Sequence, residues 1–204
     1  ASTAPGALLG FTPVPVSFDD TVVVPEGYSV QVLGAWGEPI TGDMPAYSAS
    51  NTGAEQGMQI GHHHDGMHYF PIDGSSEDGL LVVNHEYIEP RFLHAAKWQG
   101  MALSGRDVVY DADCMRDDDE VLAEINAHGI SIYRTAKQAD GSWAIVADPH
   151  NRRITAGTPI EIGGPVRGSH HVRTKYSPDG TQTRGTVNNC AHGVTPWNTY
   201  LAAE

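Results

Sequence analysis

The sequence predicts a mainly β protein: antiparallel sheets of the kind that stack as blades of a β-propeller, decorated with long loops and a short helix. Three observations lead there. Short runs rich in β-branched and aromatic residues recur between turns marked by Gly, Pro, Asn and Asp. Ala139-Asp140-Gly141-Ser142 separates two such runs, and Asp-Gly between alternating strands is a strong hairpin signal. Residues 117–128 alone carry a helical pattern with a start and a stop. No 40-residue repeat supports the propeller directly. The chain's 204 residues would build about four or five blades of roughly 40–45 residues, fewer once the loops are set aside.

The elements follow in chain order. Residues 1–20 are Pro-rich and weakly patterned, and read as an extended arm. Thr21-Val22-Val23-Val24 and Tyr28-Ser29-Val30-Gln31-Val32-Leu33 read as strands around a Pro25-Glu26-Gly27 turn. Residues 37–56 read as a long loop. Met67-His68-Tyr69-Phe70 and Leu80 to Tyr87 read as a hairpin about the turn at 73–79, with an apolar run that ends abruptly in Asn84-His85-Glu86. The helix of 117–128 has Asp117 to Glu120 at its start, where the helix dipole favours negative charge. Val121, Leu122 and Ile125 share a face, and Gly129 stops it. Gly129 to Arg134 and Trp143 to Ala147 flank the Asp-Gly turn, and Pro178-Asp179-Gly180 turns the chain before Gly185 to Cys190.

Twelve basic and 25 acidic side chains leave a formal charge of −13. That argues against nucleic-acid binding through a basic face and disfavours anionic membrane surfaces. With 40% hydrophobic and 18% charged residues the chain is globular rather than disordered. No run approaches the roughly 20 apolar residues of a membrane-spanning helix. The first residues, Ala1-Ser2-Thr3-Ala4-Pro5, lack a Met, a basic stretch and an apolar stretch, and read as a mature chain after removal of a leader. The two Cys could form one bridge, remain free or bind metal.

Three clusters could carry chemistry. His62-His63-His64-Asp65-Gly66-Met67-His68 holds four imidazoles and a carboxylate, donors for transition metals and hard cations respectively, or else is a polar loop. Its spacing matches no zinc signature. Asn84-His85-Glu86 could leave a sheet edge together, Glu86 as a chelating carboxylate and Asn84 as a carbonyl donor, or could be a polar strand end. Asn188-Asn189-Cys190-Ala191-His192 places two amides, a thiol and an imidazole before a Gly-Val-Thr-Pro turn. Cys190 could pack as a small hydrophobe, ligate a metal as thiolate, or pair with His192 as a nucleophile. The acidic stretch from Asp111 to Glu120 around Cys114 reads as a solvated face and a helix start. Arg152-Arg153 and Arg173-Thr174-Lys175 read as surface ion pairs, with phosphate as the alternative partner.

These clusters, in this order, resemble the amino-terminal part of the PhoX-type alkaline phosphatases. The resemblance is carried by Glu55-Gln56, His64-Asp65-Gly66, Leu81 to Tyr87, Asn151-Arg152-Arg153-Ile154-Thr155 and Asn188 to Leu201. The Phe11-to-Phe18 arm and Val24-Pro25-Glu26-Gly27-Tyr28 fit as well, so nearly the whole chain is covered. The resemblance implies a decorated β-propeller several hundred residues long, with residues 21–204 as the N-terminal portion behind the 1–20 arm. It implies export by the twin-arginine route, hence a periplasmic or secreted protein. It implies hydrolysis of small-molecule phosphate monoesters with ferric iron, Fe(III), and calcium, Ca(2+). By motif, Cys190 is implied as an iron ligand, Glu86 and Glu204 as carboxylate ligands, and Asp65 and Asn189 as supporting or calcium-side residues. The family motif continues beyond Thr199-Tyr200-Leu201 through two Glu and an Asn, and this chain stops at Glu204, the first of them. Further ligands are therefore expected in the rest of the same polypeptide, and the 204-residue piece is expected to be inactive alone. The nucleophile stays open. Two rivals stand beside this reading. One is a non-catalytic calcium-stabilised propeller that binds a partner, with Cys190 as packing. The other is a zinc hydrolase using the His62–His68 run.

Overall fold

In a computed structural model that describes residues 10–40, 46–95, 110 and 112–204, the chain forms two units, Ala1–Leu33 and Gly34–Glu204. Residues 1–9 of the expected arm, 41–45 of the expected loop and Asp111 lie outside the described residues. In the first unit Tyr28 N–H closes a turn on Pro25 C=O at 3.0 Å, and Phe11 meets the Tyr28 ring edge-on at 5.4 Å. The strands expected at 21–24 and 28–33 do not form. Val22, Val30 and Val32 are exposed, and β-branched composition without a ladder partner leaves only extended chain.

The second unit is mostly sheet with little helix. Its elements are α1 (Gly53–Gln56), β1 (His64–Pro71), β2 (Asp78–His85), α2 (Pro90–Leu93), α3 (Asp118–Ala127), β3 (Gly129–Lys137), β4 (Trp143–Val146), β5 (Arg152–Ile154), β6 (Pro159–Glu161), a 3-10 turn (His170–Val172), β7 (Gln182–Arg184), β8 (His192–Val194) and β9 (Tyr200–Ala202). Strands β1 to β4 lie side by side in chain order, and β5 joins β3 beside β4; β6–β7 and β8–β9 are separate hairpins. All pairing among the described residues is antiparallel. The described residues show no closed barrel or propeller.

Strand alternation divides the sheet into two faces. Val83 and Tyr133, with Leu81 beside them, pack against Ile40 and Ile60. On the other face Val82, Ile130 and Ile132 meet Phe70, Leu80, Ile154 and Tyr200. Each fully buried aliphatic side chain contributes about 1.5–3 kcal/mol. The register that fixes these faces pairs Val82 with Ile132 and Asn84 with Ile130.

Helix α3 starts as the sequence suggests. Asp117 caps it, accepting from the backbone N–H groups of Asp119 and Glu120. At its other end Gly129 stands at φ 103°, where a Cβ would lie 2.0 Å from Ile154 C=O, so only glycine fits. The loop expected at 37–56 hides α1, which has a capping box between Thr52 and Glu55.

The reading of Arg152-Arg153 as a surface ion pair is corrected. Arg153 lies on β5, and its guanidinium donates to the carbonyls of Gln56, Gln59, Asn126, His128 and Ile130. It serves the loose carbonyls at the end of α3 rather than a carboxylate. A second polar lock joins α2 to α3: Glu124 accepts from Arg116 at 2.7 Å and lies 2.9 Å from Nε2 of the buried His94. Burial pushes the Glu124 carboxyl up, but the Arg116 guanidinium and the His94 ring outweigh it and hold it at about 2.

Replacing Arg153 by Gln leaves several buried carbonyls unmatched, at about 1–3 kcal/mol each. Urea unfolding of the full-length protein should lose at least ~3 kcal/mol, against under ~0.5 kcal/mol for the exposed Arg152→Gln; equal losses would refute the clasp. The folded Glu124 carboxyl sits below its ordinary value of 4.5, so its contribution is present above that pH and fades as pH falls towards 2. Glu124→Gln should flatten this acid limb of the stability profile.

Candidate metal centre

The site is built where β1 starts, where β2 ends, and in the segment before β8. Between His64 and Met67 the β1–β2 register shifts, and such an irregularity re-aims side chains at a strand end. Asp65 lies within that shift. On β2, alternation sends Asn84 one way and His85 the other, and Glu86 follows at the strand end, its N–H held by His63 C=O at 3.0 Å. The third segment bends through Asn188 at φ 53°, a conformation that Asn tolerates. Asn188 Nδ2 donates to Glu86 C=O at 3.3 Å.

These segments bring Asp65, Glu86 and Cys190 together, with one ligand atom from each within 4.8 Å of the others. The Cys190 thiol hydrogen-bonds the Asp65 carboxylate, and that bond with the negative charges of Asp65 and Glu86 pushes its pKa up. A bound cation reverses this balance, because it favours thiolate and carboxylates together. Two hard carboxylates and one soft sulfur suit a mixed demand for hard and borderline metals. Next to Cys190, Asn189 is fully buried, and neither of its amide atoms has a hydrogen-bond partner among the described residues. An orphaned amide oxygen one residue from a clustered ligand is a candidate donor to a hard cation. Glu204 is exposed and is not one of the three clustered residues. It follows Ala203, whose carbonyl accepts from Cys190 N–H at 3.2 Å.

Cys190 is held by a clamp that sequence reasoning missed. Asn84, fully buried, donates from Nδ2 to the carbonyls of Cys190 and Ala191 at 3.1 and 3.3 Å. The Tyr200 hydroxyl lies 3.0 Å from Asn84 Oδ1 and 3.1 Å from Gly66 C=O, and can donate to either. Burial and then the Asp65 charge push the Tyr200 phenol up to about 12, so it stays a donor. Gly66 N–H donates to Cys190 C=O at 3.2 Å, and a Cβ on Gly66 would stand 2.7 Å from that oxygen. The Asn84 amide oxygen, read as a metal donor, instead faces Tyr200. Counting alternation from Val82 would have put Asn84 on the Tyr200 face, but not against residues 190–191.

The histidine run does other work. His62 Nδ1 accepts from Glu89 N–H at 2.9 Å, and burial followed by the neighbouring His63 lowers its pKa to about 4. His64 Nε2 bonds Gly34 C=O at 2.7 Å. His85 is fully buried and neutral, its pKa driven well down by burial. Gly61 N–H and Ser131 Oγ address its Nε2, so Nδ1 carries the proton to His62 C=O at 3.0 Å. Among the described residues no histidine joins a metal-sized cluster of donors. His192 stacks on Tyr200 at 5.7 Å while the Cys190 thiol faces Asp65, so the Cys–His nucleophile pair does not form. Both Cys114 and Cys190 are free.

A family model described as alkaline phosphatase PhoX matches residues 9–204. No curated protein matches the chain. Among solved structures, Pseudomonas fluorescens PhoX in complex with vanadate, a transition state analogue, superposes with a TM-score of 0.83 at 32% identity. The match covers 96% of this chain and 32% of that one, so the present chain spans about a third of the length of its structural relative.

Asn84→Asp keeps the side-chain size but sets a carboxylate against the Cys190 and Ala191 carbonyls. Metal titration of the full-length protein should show affinity about 10–100-fold lower, as for other residues that orient ligands. Tyr200→Phe, which spares both Asn84 donors, should cost less. Unchanged affinity in Asn84→Asp would remove the clamp from the account.

Proposed function

This chain belongs to the PhoX alkaline phosphatase family, and from that premise we propose that it forms part of a metal-dependent phosphatase that hydrolyses phosphate monoesters with an iron–calcium cluster. The observation that carries the reading is the convergence of Asp65, Glu86 and Cys190 within 4.8 Å. The donors fit the metals. Cys190 would hold iron, Glu86 and Asp65 would offer carboxylates, and the orphaned Asn189 amide would serve calcium. Glu204, one residue beyond the Ala203 carbonyl that anchors Cys190, is proposed as a further carboxylate. When bound, the metals supply Lewis acidity towards the phosphoryl oxygen and neutralise its spread charge. The chain's own residues supply position: Asn84, Tyr200 and Gly66 hold the Cys190 segment, and the Asn188 amide holds the Glu86 backbone. That the superposed relative carries a vanadate transition-state analogue supports phosphoryl chemistry on this scaffold. The calcium-only binding module gives no use to a thiol gathered with two carboxylates.

Residues 1–20 would be an arm, and 21–204 the first portion of a β-propeller completed by the rest of the same polypeptide. In keeping with this, an open cleft of about 500 Å³ on one sheet face is lined by Phe70, Leu80, Val82, Ile130, Ile132 and Tyr200, a largely apolar groove of the kind another sheet covers. A periplasmic or secreted location accords with the family, and no helix among the described residues is long and apolar enough to cross a membrane.

Elemental analysis of the full-length protein should find iron with calcium, a visible thiolate-to-iron absorption and hydrolysis of phosphate monoesters. Cys190→Ala should lose the colour and the iron together with activity. Unchanged iron and full activity in that variant would sink the assignment, and a colourless calcium protein would revive the binding module.

A further inference from the structure

Four of the chain's twelve cations, Arg167, Arg173, Lys175 and Arg184, fall between residues 162 and 184, in a chain whose net charge is −13. All four are exposed, as are His170 and His171, whose tilted rings have centroids 3.8 Å apart. One folded lobe holds them together. Gly168 N–H bonds Gly180 C=O at 2.8 Å and Ile162 N–H bonds Thr181 C=O at 2.9 Å, closing the loop on itself. Arg167 reaches the carbonyls of Ile162 and Thr181, Arg173 leans on Gly168 C=O at 3.4 Å, and Arg184 lies over the Tyr176 ring at 4.4 Å.

No ion pair to a carboxylate is seen for these cations among the described residues, so the expected surface pairing of Arg173 and Lys175 is not found. The lobe's only acid, Asp179, is engaged by Ser177 and Thr181 hydroxyls at 2.8 Å each. The lobe also roots close to the metal centre: Arg184 precedes Cys190 by six residues, a span of at most about 20 Å.

We propose that the 162–184 lobe is a binding site for compact, phosphate-dense anions such as short polyphosphate chains. Guanidinium and ammonium groups without carboxylate partners are the groups that hold phosphate oxygens. Compactness follows from the charge map. A long duplex or a flat anionic bilayer would also meet the acidic remainder of the chain, whereas a short polyphosphate can be held within the lobe alone. Tyr176, the lobe's tyrosine, already has Arg184 across its ring, which leaves that face closed to a stacking base. If the phosphatase reading holds, the lobe raises the local concentration of multiply charged substrates against a repulsive background; the binding itself does not depend on that reading.

The test is calorimetric titration of tripolyphosphate into the full-length protein and into its Cys190→Ala variant, which removes a metal ligand and leaves the lobe intact. Binding should persist in Cys190→Ala, weaken steeply with salt, and fall about tenfold when Arg173→Gln and Lys175→Gln are combined. Arg91→Gln with Lys137→Gln, the same charge loss elsewhere, should change it little. Arg167 is left in place because it closes the loop. Equal affinity in the Arg173–Lys175 double variant, or loss of binding in Cys190→Ala alone, would overturn the proposal. So would tighter binding of a single-stranded oligonucleotide of equal charge. No hydrolysis is read, so a failure of the phosphatase reading would show separately, in the metal analysis.

Discussion

The Arg153 guanidinium is the tie on which the larger unit's geometry depends. It offers a planar fork of N–H donors, and the carbonyls it meets belong to the turn after α1, the end of α3 and the start of β3. The end of α3 presents carbonyls with no intrahelical partner, and a cation there is also favoured by the helix dipole. By settling them, Arg153 pins β5 against β3 and sets where β3 begins. The rest follows from register. With Gly129 opposite His85 and Ile130 opposite Asn84, His85 turns into the buried polar network and Asn84 towards Tyr200. A slip of one residue would exchange the two faces, taking Asn84 away from Tyr200 and His85 out of its polar network.

The candidate metal centre inherits its order from this sheet. Asp65 owes its place to the register shift in β1, Glu86 to the end of β2, and Cys190 to the carbonyl bonds that Asn84 and Gly66 make. Its two carboxylates are thus mounted on paired strands, whereas its thiol sits on a segment clamped from outside. Any disturbance of the Asn84–Tyr200 contact acts first on the sulfur. The sheet face opposite the clamp is occupied by His85, Ser131 and Tyr133, all fully or almost fully buried.

Much of the fold was legible. The hairpin signals placed β1 to β4, and the Asp117 cap and Gly129 stop bounded α3 to within a residue, because periodicity and turn chemistry act locally. β5 was not legible: three residues show no period, and two adjacent arginines suggest a surface. The valines of 21–24 and 28–33 misled in the opposite direction, since composition speaks of strand but a strand needs a ladder. The box at Thr52 and Glu55 that opens α1 was present in the sequence yet lay within a Gly- and Ser-rich stretch. In the candidate centre, residue types at Asp65, Glu86 and Cys190 pointed towards metal chemistry. Their convergence could not be read, because nothing local in Asn188-Asn189-Cys190 says which strand end it meets. The same holds for Asn84, whose amide could have been a ligand or a brace until its partners were known.

The clamp between Asn84 and the Cys190 carbonyl joins residues 106 positions apart. Synthesis at about 5–20 residues per second therefore presents the two hairpin carboxylates roughly 5–20 s before the sulfur exists. Contacts of such long range close late in folding, since loop closure must precede any gain from them. The centre thus has a built-in order of birth: an all-oxygen half-site first, and its sulfur only after the intervening helix and strands have been made.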